Sequence, residues 1–363
     1  MTRKCIYSVV LISLATTFPI LTYASDVISK EEGKVDSTGI VWYDAKLLGV
    51  EGKGWTDTES YYDRLPLKAK DTLRLPVWNL SHCSAGMQVR FATDAETLQV
   101  RWIVTKEVLS MPHMPATGVR GVDLYYRNKN GNLRFCGNGR PTEVINTASF
   151  ELTPSNEYVL YLPLYNGVKL VEFGIAKDKT LSKLVPLEPS HSIVFYGTSI
   201  TQGGCASRPG MVTTSIVSRE LGLPVINLGF SGNARMEQEI ADLLGDLDPA
   251  VYVLDAMWNM TLDMVAERVE PFIKKLRQTR PTTPILLVED SSLDNLPTPK
   301  GKILREIHAR LSAAGDKNLY FLGNTGMLGE DREATVDGVH LTDLGMFRQA
   351  AVFIRCLKQI IKE

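Results

Sequence analysis

The chain has 363 residues and a formal net charge of −1, with 44 % hydrophobic and 22 % charged residues. These values are typical of a globular protein that is long enough for two domains. Because basic and acidic residues are mixed along the whole length, the composition predicts neither a nucleic-acid partner nor a disordered charged arm.

The first residues predict an export signal. Arg3 and Lys4 precede an apolar stretch from about Ile6 to Thr22, and Ala24 is a small residue suited to cleavage before the next position. A membrane anchor is the alternative, but a proline interrupts a run that is already short for a bilayer span. We therefore expect residues 1–24 to be removed, leaving a periplasmic or secreted protein without a membrane span.

The cysteines beyond this segment leave two interpretations open. Export permits disulfides, but free thiols are equally compatible with a chain of this size. No C-x-x-C pair and no H-E-x-x-H motif occurs, so the spacing predicts no zinc site, and we expect neither a metal nor a cofactor. The cysteines concerned are Cys83, Cys136, Cys205 and Cys356.

Residues 25–178 predict an all-β sandwich, jelly-roll-like in type. Long helical periodicity is absent, and turn residues at 128–132 and 154–156 separate short runs rich in β-branched and aromatic residues. The predicted strands lie at 98–104, 121–126, 158–162 and 169–175. Residues 179–190 carry two prolines and are predicted to be a linker.

From residue 191 to residue 363 the pattern changes to strands and helices in alternation, which predicts a parallel sheet covered by helices on both faces, as in the flavodoxin-like three-layer α/β fold. Apolar strand-like runs lie at 193–197, 225–230, 251–256, 285–289 and 319–322. Amphipathic helical stretches lie at about 262–279, 298–314 and 343–362.

A serine, a histidine and an aspartate follow strands of this α/β region. Ser199 comes directly after the first predicted strand and next to glycines, where open α/β sheets bind ligands. A hydroxyl needs a base to become a nucleophile. His340 follows the last predicted strand, and Asp337 lies three residues before it, so one short loop can supply the base and the carboxylate that orients it. The combination indicates a serine hydrolase.

Two further loops fit an oxyanion hole. Gly232 follows the second strand, and a glycine lets the backbone N–H approach a ligand closely. Asn259 follows the third strand, where a side-chain amide can donate to developing negative charge. A plain turn at Gly232 and a helix N-cap at Asn259 are the structural alternatives.

The glycine-rich turn after the first strand also fits a phosphate site, as in flavin mononucleotide proteins of similar topology. Taken alone, the loop 197–204 hardly separates the two functions. The Asp337/His340 pair favours hydrolysis, because phosphate binding has no use for it.

The order Ser199, Gly232, Asn259, His340 along the chain resembles the SGNH (GDSL-type) hydrolases, over roughly residues 191–363. The resemblance implies that Ser199 is the nucleophile, that His340 is the base with Asp337 as its partner, and that Gly232 and Asn259 join the Ser199 N–H as oxyanion donors. The sequence departs from the family pattern at Thr198, where Gly-Asp-Ser has Asp, and at Met260, where Asp usually follows the Asn.

The run Gly121-Val122-Asp123-Leu124-Tyr125 resembles the "GxDLY" β-sandwich that precedes SGNH domains in some exported bacterial esterases. Just upstream, the loop 111–115 could reach over the active site. We name His113 and Met114 from this loop, together with Trp258, as candidate substrate-binding residues, and expect no catalytic role for His113.

These observations predict an exported, metal-independent esterase that works through an acyl-enzyme. The family resemblance favours acetyl or other short acyl groups on carbohydrate, so the expected partner is a small-molecule or polysaccharide ester substrate. The alternatives are a flavin- or nucleotide-binding module, a catalytically idle carbohydrate-binding protein, and an enzyme acting on lipid or thioester acyl groups. The sequence does not define the oligomeric state.

Overall fold

The structure is a computed structural model and describes residues 25–361, so the predicted export signal lies outside the described residues. The first part of the described chain forms two antiparallel sheets. Their strands are β1 (Ser25–Val27), β2 (Lys34–Val35), β3 (Ile40–Asp44), β4 (Gln88–Thr93), β5 (Thr97–Val104), β6 (Val122–Arg127), β7 (Leu133–Gly139), β8 (Ile145–Glu151), β9 (Tyr158–Tyr161), β10 (Val168–Ala176) and β11 (Leu181–Leu184).

The two sheets pack face to face, as the sequence predicts for a sandwich. One has the order β1-β11-β4-β9-β6-β7 and the other β2-β3-β10-β5-β8. Along β5 every second side chain is buried, and Trp102 from this strand shares one apolar core with Phe91 of the opposite sheet. The strict alternation on β5 is the pattern of a strand with one face toward a core.

The β domain has more elements than the sequence predicts, and strands β1–β4, β7 and β8 lie outside the four predicted strands. The segment 179–190, predicted as a linker, contains strand β11, which pairs with β1 and β4 because Leu181 and Leu184 bury their side chains. The domain also carries two short helices, α1 (Leu75–Ser81) and α2 (Ala116–Val119). Helix α1 buries Trp78 against the core of the α/β domain, a long-range contact that local periodicity does not report.

The second part of the chain forms a parallel sheet with helices around it. Its strands are β12 (Ile193–Gly197), β13 (Val225–Gly229), β14 (Val251–Asp255), β15 (Ile285–Val288) and β16 (Leu319–Leu322), in the order β13-β12-β14-β15-β16. The helices are α3 (Ser199–Gln202), α4 (Thr213–Leu221), α5 (Gln238–Gly245), α6 (Leu262–Thr279), α7 (Pro299–Ala313) and α8 (Asp343–Ile360). Separate apolar clusters lie on the two faces of the sheet, which confirms the predicted flavodoxin-like three-layer fold.

Short 3₁₀ turns complete the architecture. They lie at Lys30–Glu32, Ala45–Leu47, Leu67–Ala69, Pro189–His191, Pro209–Met211 and Met257–Asn259. None of the helices in residues 25–361 combines the length and the apolar character that a membrane span requires.

The sheet register brings the functional loops together. Gly197 at the end of β12 is level with Gly229 at the end of β13 and with Asp255 at the end of β14. Because parallel strands end at the same edge, the segments that follow these three residues meet above that edge.

The β domain is joined to the α/β domain through buried polar contacts. Arg64, 1 % exposed, donates to the carbonyl oxygens of Asn227 (3.1 Å) and Gly229 (2.7 Å). Asp123 of the GxDLY motif accepts from Arg208 (2.8 Å) and from the Gly210 N–H (2.7 Å). Asp123 is therefore a residue of strand β6 and also an attachment point for the α/β domain.

Candidate active site

The nucleophile candidate lies on the first turn of a very short helix. Thr198 is extended and caps α3, accepting from the Ile200 N–H (3.3 Å), and Ser199 is the first helical residue. At the other end Gly203 has φ 112°, a left-handed conformation that ends the helix after one turn. The sharp strand–turn–helix geometry presents Ser199 at the edge of the sheet.

Ser199, His340 and Asp337 form a continuous hydrogen-bonded chain. Ser199 Oγ lies 2.9 Å from His340 Nε2, and His340 Nδ1 lies 2.7 Å from Asp337 Oδ2. An imidazole that bonds a carboxylate through Nδ1 holds its Nε2 ready to accept a proton from the hydroxyl. The arrangement is suited to nucleophilic acyl transfer.

The loop between β16 and α8 fixes the aspartate locally. Asp337 Oδ1 accepts from the backbone N–H groups of Val339 (3.0 Å) and His340 (2.8 Å). Burial acts to raise the pKa of Asp337, but the hydrogen bonds from the His340 side chain and these N–H groups outweigh it and lower the pKa to about 2. The carboxylate is therefore ionised wherever the imidazole can serve as a base.

The predicted oxyanion residues lie on the loops that follow β13 and β14. Gly232 has φ 70°, and its Cα faces open space, with no atom within 4 Å of where a Cβ would stand. Asn259 ends the 3₁₀ turn Met257–Asn259, and its Oδ1 accepts from the Ala234 N–H at 3.2 Å. Within residues 25–361 the Asn259 amide nitrogen has no hydrogen-bond partner, so it remains available as a donor.

The loop from the β domain does reach the site. Met111 and Met114 exchange backbone hydrogen bonds of 3.0 and 3.1 Å, which makes a tight turn with His113 at its tip. The His113 ring lies edge to face with the His340 ring, with 5.2 Å between centroids. Met114 is 2 % exposed and belongs to the same buried apolar cluster as Ile200, so its predicted contact with a substrate stays a prediction.

Trp258 lies next to Asn259 and is half-buried. Its Nε1 donates to Ser291 Oγ at 3.2 Å, and Lys300 Nζ lies 5.5 Å from the ring centroid. These contacts hold the indole in place beside the proposed oxyanion amide.

Cys205 adds a feature that spacing along the chain did not indicate. Ligand atoms of His113, Cys205 and His340 lie within 4.8 Å of one another, without any metal-binding motif in the sequence. Cys205 also has φ 69°, a left-handed conformation unusual for a residue with a side chain. Burial, with the charge of Asp337, raises the pKa of the Cys205 thiol to about 11, so the thiol is protonated at neutral pH. All four cysteines of the described residues carry free thiols.

Two further residues lie at the site: Tyr165, which the sequence analysis does not identify, and Gln202, which belongs to the predicted glycine-rich loop. Tyr165, from the β domain, donates its hydroxyl hydrogen to the Ser199 carbonyl oxygen at 3.2 Å. Gln202 Oε1 accepts from the Ser231 N–H at 3.0 Å. Tyr165 follows a strand of the other domain, and no motif surrounds it, so only the three-dimensional arrangement identifies it.

Comparisons with known proteins match both domains of the chain. Residues 190–358 match the GDSL-like lipase/acylhydrolase family, and residues 40–181 match the N-terminus of the SGNH_hydro-type esterases, the GxDLY domain. No curated protein sequence matches the chain.

Solved structures extend the likeness to both domains. A protein from Bacteroides ovatus described as a GDSL-like lipase is 32 % identical, with 89 % of this chain and 98 % of that chain covered and a TM-score of 0.83. Salicylyl-acyltransferase SsfX3 from a tetracycline biosynthetic pathway is 18 % identical, with 95 % and 96 % covered and a TM-score of 0.66. A family two carbohydrate esterase from Cellvibrio japonicus is 11 % identical, with 93 % and 95 % covered and a TM-score of 0.54.

The acyltransferase and the carbohydrate esterase are similar to this chain in fold only. The Bacteroides ovatus protein is also similar in sequence, over nearly its whole length. The chain therefore belongs to the GDSL-like lipase/acylhydrolase family and is an ester-hydrolysing enzyme with a GxDLY-type N-terminal domain.

Proposed function

We propose that the protein is an exported serine esterase that removes short acyl groups, acetyl above all, from carbohydrate through an acyl-enzyme. The observation that carries the mechanism is the chain Ser199 Oγ–His340 Nε2 (2.9 Å) and His340 Nδ1–Asp337 Oδ2 (2.7 Å). A hydroxyl, a base and an orienting carboxylate are the groups that acyl transfer requires.

In the first half-reaction Ser199 Oγ bonds to the ester carbonyl carbon while its proton passes to His340 Nε2. Negative charge then develops on the carbonyl oxygen, where the Ser199 N–H, the Gly232 N–H and the Asn259 amide can stabilise it. The bond from the carbonyl carbon to the alcohol oxygen breaks, and His340 returns its proton to that oxygen.

In the second half-reaction a water molecule gives a proton to His340 Nε2 and attacks the acyl carbon. The bond to Ser199 Oγ breaks, and the proton from His340 restores the hydroxyl and releases the acid. Asp337 stays ionised throughout, since its pKa lies at about 2, and it stabilises the imidazolium that forms twice in each cycle.

Covalent labelling tests the nucleophile. A fluorophosphonate should modify Ser199 and no other serine, and Ser199→Ala should lose both the label and ester hydrolysis while keeping its melting temperature. Ser312→Ala, on helix α7, is the matched control and should react like the wild type. A label on another serine, or hydrolysis by Ser199→Ala, would refute the assignment.

The base and its partner complete this test. His340→Ala should lower kcat by about a thousandfold or more, and Asp337→Asn should lower kcat strongly with little change in KM. Activity should survive excess EDTA, because the proposed site stabilises charge with N–H groups. A loss that zinc restores would contradict the serine mechanism.

The short-acyl preference rests on what surrounds the site. The half-buried side chains of Met111, Trp258 and Val339 pack against the same apolar core, and they can close an acyl pocket after a few carbons. Carbohydrate as the alcohol is suggested by the family two carbohydrate esterases, whose fold the chain shares.

A series of p-nitrophenyl esters tests the pocket length. An open apolar tunnel would gain about 0.8 kcal/mol for each buried methylene, so kcat/KM would rise steeply with chain length. We expect the reverse, with acetate and propionate preferred over octanoate, and Trp258→Ala should shift the preference toward longer chains. A steady rise through octanoate in the wild type would indicate a lipase or thioesterase instead.

Export is proposed from the basic and apolar pattern of residues 1–24, which lie outside the described residues. N-terminal sequencing of the mature protein should begin at Ser25, and a protein that retains Met1 in its natural compartment would contradict the proposal.

A further inference from the structure

A tyrosine of the β domain touches both loops that the proposed chemistry uses. The Tyr165 hydroxyl donates to the Ser199 carbonyl oxygen at 3.2 Å, and the Ser231 side chain interacts with the same hydroxyl. Ser199 starts the nucleophile turn, and Ser231 directly precedes Gly232. One phenol therefore connects the nucleophile turn to the loop that carries a proposed oxyanion donor.

The neighbouring residue supplies a second, parallel connection. The Leu164 carbonyl oxygen accepts from Gln202 Nε2 at 3.2 Å, and Gln202 Oε1 accepts from the Ser231 N–H at 3.0 Å. The dipeptide Leu164-Tyr165 is itself fixed, because its two N–H groups donate to the carbonyl oxygens of Gly118 (3.3 Å) and Val119 (3.1 Å). Both connections thus start from a rigid part of the β domain.

The phenol is also close to the proposed base. A Cβ added to Gly204 would lie 2.9 Å from Tyr165 Oη, 3.1 Å from the Ser199 carbonyl oxygen and 3.2 Å from His340 Cδ2. Tyr165 Oη, the nucleophile turn and the imidazole therefore surround one glycine. Burial raises the pKa of Tyr165, so the hydroxyl keeps its proton and remains a donor at neutral pH.

The Ser199 carbonyl matters because α3 is only four residues long. A helix of one turn has little intrinsic stability, so its position depends on the contacts of its ends. The Ser199 oxygen accepts from the N–H groups of Gly203 (3.0 Å) and Gly204 (2.7 Å), and the tyrosine adds a contact from outside the α/β domain.

We propose that Tyr165 is a positioning residue for acyl transfer, which holds the Ser199 turn and the Ser231–Gly232 loop at the separation that lets the hydroxyl and the oxyanion donor act on one carbonyl. The inference rests on the proposed serine mechanism. It makes the β domain part of the catalytic apparatus, since a reacting group displaced by about 1 Å can lose on the order of a hundredfold in rate.

Tyr165→Phe tests this role, with Tyr158→Phe as the matched control. Tyr158 is a buried tyrosine in the core of the same domain, and its hydroxyl donates to the Thr153 carbonyl oxygen at 2.8 Å. We expect Tyr165→Phe to lower kcat for p-nitrophenyl acetate by about tenfold or more, with KM nearly unchanged, and to slow fluorophosphonate labelling of Ser199 in parallel. Tyr158→Phe should keep the wild-type kcat even if both variants melt at the same lower temperature.

A double-mutant cycle with Ser231→Ala separates positioning from general destabilisation. If both side chains act through their shared contact, the double variant should be little slower than either single variant. Losses that multiply, or a Tyr165→Phe enzyme with wild-type kcat and labelling rate, would overturn the inference. Failure of the serine mechanism would look different, because the wild type itself would then not be labelled at Ser199.

Discussion

Asp255 is a buried acid directly beneath the nucleophile helix. It ends β14, is 6 % exposed, and accepts from Thr201 Oγ1 of α3 at 3.0 Å. Burial raises its pKa to about 7, with the charge of Asp290 acting in the same direction and the Thr201 hydrogen bond opposing it. The ionisable carboxyl group of Asp255, at the edge of the sheet, is thus hydrogen-bonded to the helix that carries Ser199.

The raised pKa gives Asp255 a defined effect on stability. Between about pH 4 and pH 7 the folded protein retains a proton that the unfolded chain has lost, so the free energy of unfolding should fall as the pH rises through this range. At about 1.4 kcal/mol for each unit of pKa difference, the change should be on the order of 4 kcal/mol. In Asp255→Asn this loss of stability with rising pH should be absent. The free energy of unfolding of the variant relative to that of the wild type should therefore be higher at pH 8 than at pH 5.

Chemical denaturation at pH 5 and pH 8 measures this difference. Asp331→Asn is the control with the opposite sign: the hydrogen bond from Arg348 holds the pKa of Asp331 below its ordinary value, so the stability it contributes is lost only as the pH falls below about 4. Its pH dependence between 5 and 8 should match the wild type. If the free energy of unfolding changed equally between pH 5 and pH 8 in Asp255→Asn and in the wild type, Asp255 would already be ionised at pH 5.

At the scale of elements, the position of α3 depends on a glycine of the neighbouring strand. A Cβ at Gly229 would lie 2.1 Å from the Gln202 nitrogen and 2.5 Å from the Gln202 Cα. These atoms are backbone, so the clash can be relieved only if α3 moves away from β13. Glycine is therefore what allows the nucleophile helix to sit against the sheet edge.

Gly229→Ala should accordingly lower kcat by more than tenfold and cost about 1–3 kcal/mol of stability, as overpacking does. Gly222→Ala is the matched control, because Gly222 caps α4 at φ 67° and has no atom within 4 Å of its missing Cβ. It should lose about 1 kcal/mol to backbone strain while keeping full activity. Comparable activity of the two variants would contradict this account of α3 packing.

The sequence predicts elements well where burial follows a local pattern. The run predicted at 193–197 coincides with β12, whose residues are all buried, and the predicted helix 262–279 coincides with α6 although Pro271 lies within it. The predicted α7 and α8 stretches differ from the structure by at most two residues at either end. In the strand a continuous apolar run carries the information, and in the helices the apolar period carries it.

The prediction fails where burial depends on distant partners. Helix α1 and strand β11 are short, and each is stabilised by a surface from another part of the chain, so neither has a distinctive local pattern. The same reason applies to the candidate site: Ser199, Asp337 and His340 lie in recognisable motifs, whereas Tyr165 acquires its role only through a contact 34 residues along the chain.

At the scale of the whole molecule, a buried arginine of the β domain is hydrogen-bonded to the α/β domain. Arg64 of the β domain lies under Phe230, with its guanidinium carbon 4.9 Å from the ring centroid, and donates to three carbonyl oxygens, those of Leu80, Asn227 and Gly229. Burial lowers the pKa of Arg64 to about 10, which still leaves it charged at neutral pH. A buried charge that is paired in this way is costly to disturb on either side.

The α/β sheet edge is therefore completed by the other domain. The carbonyl oxygens of Asn227 and Gly229 belong to β13, the strand against which α3 packs. Separation of the domains would remove the guanidinium from these two carbonyl oxygens and leave it with the Leu80 carbonyl oxygen alone, which indicates that the domains unfold together and not independently.

Calorimetry of the full chain should accordingly show one cooperative transition. Arg64→Met should move that whole transition to lower temperature, because two strand carbonyl oxygens lose their hydrogen-bond donor. The loss of stability should be about 2–4 kcal/mol. Arg101→Met is the matched control: Arg101 stacks on Trp42 at 3.9 Å and pairs with Glu172 on the outer face of the sandwich, where loss of a half-buried contact should cost under about 1 kcal/mol. A wild-type profile with two separate transitions, or equal shifts for the two variants, would mean that Arg64 does not couple the domains.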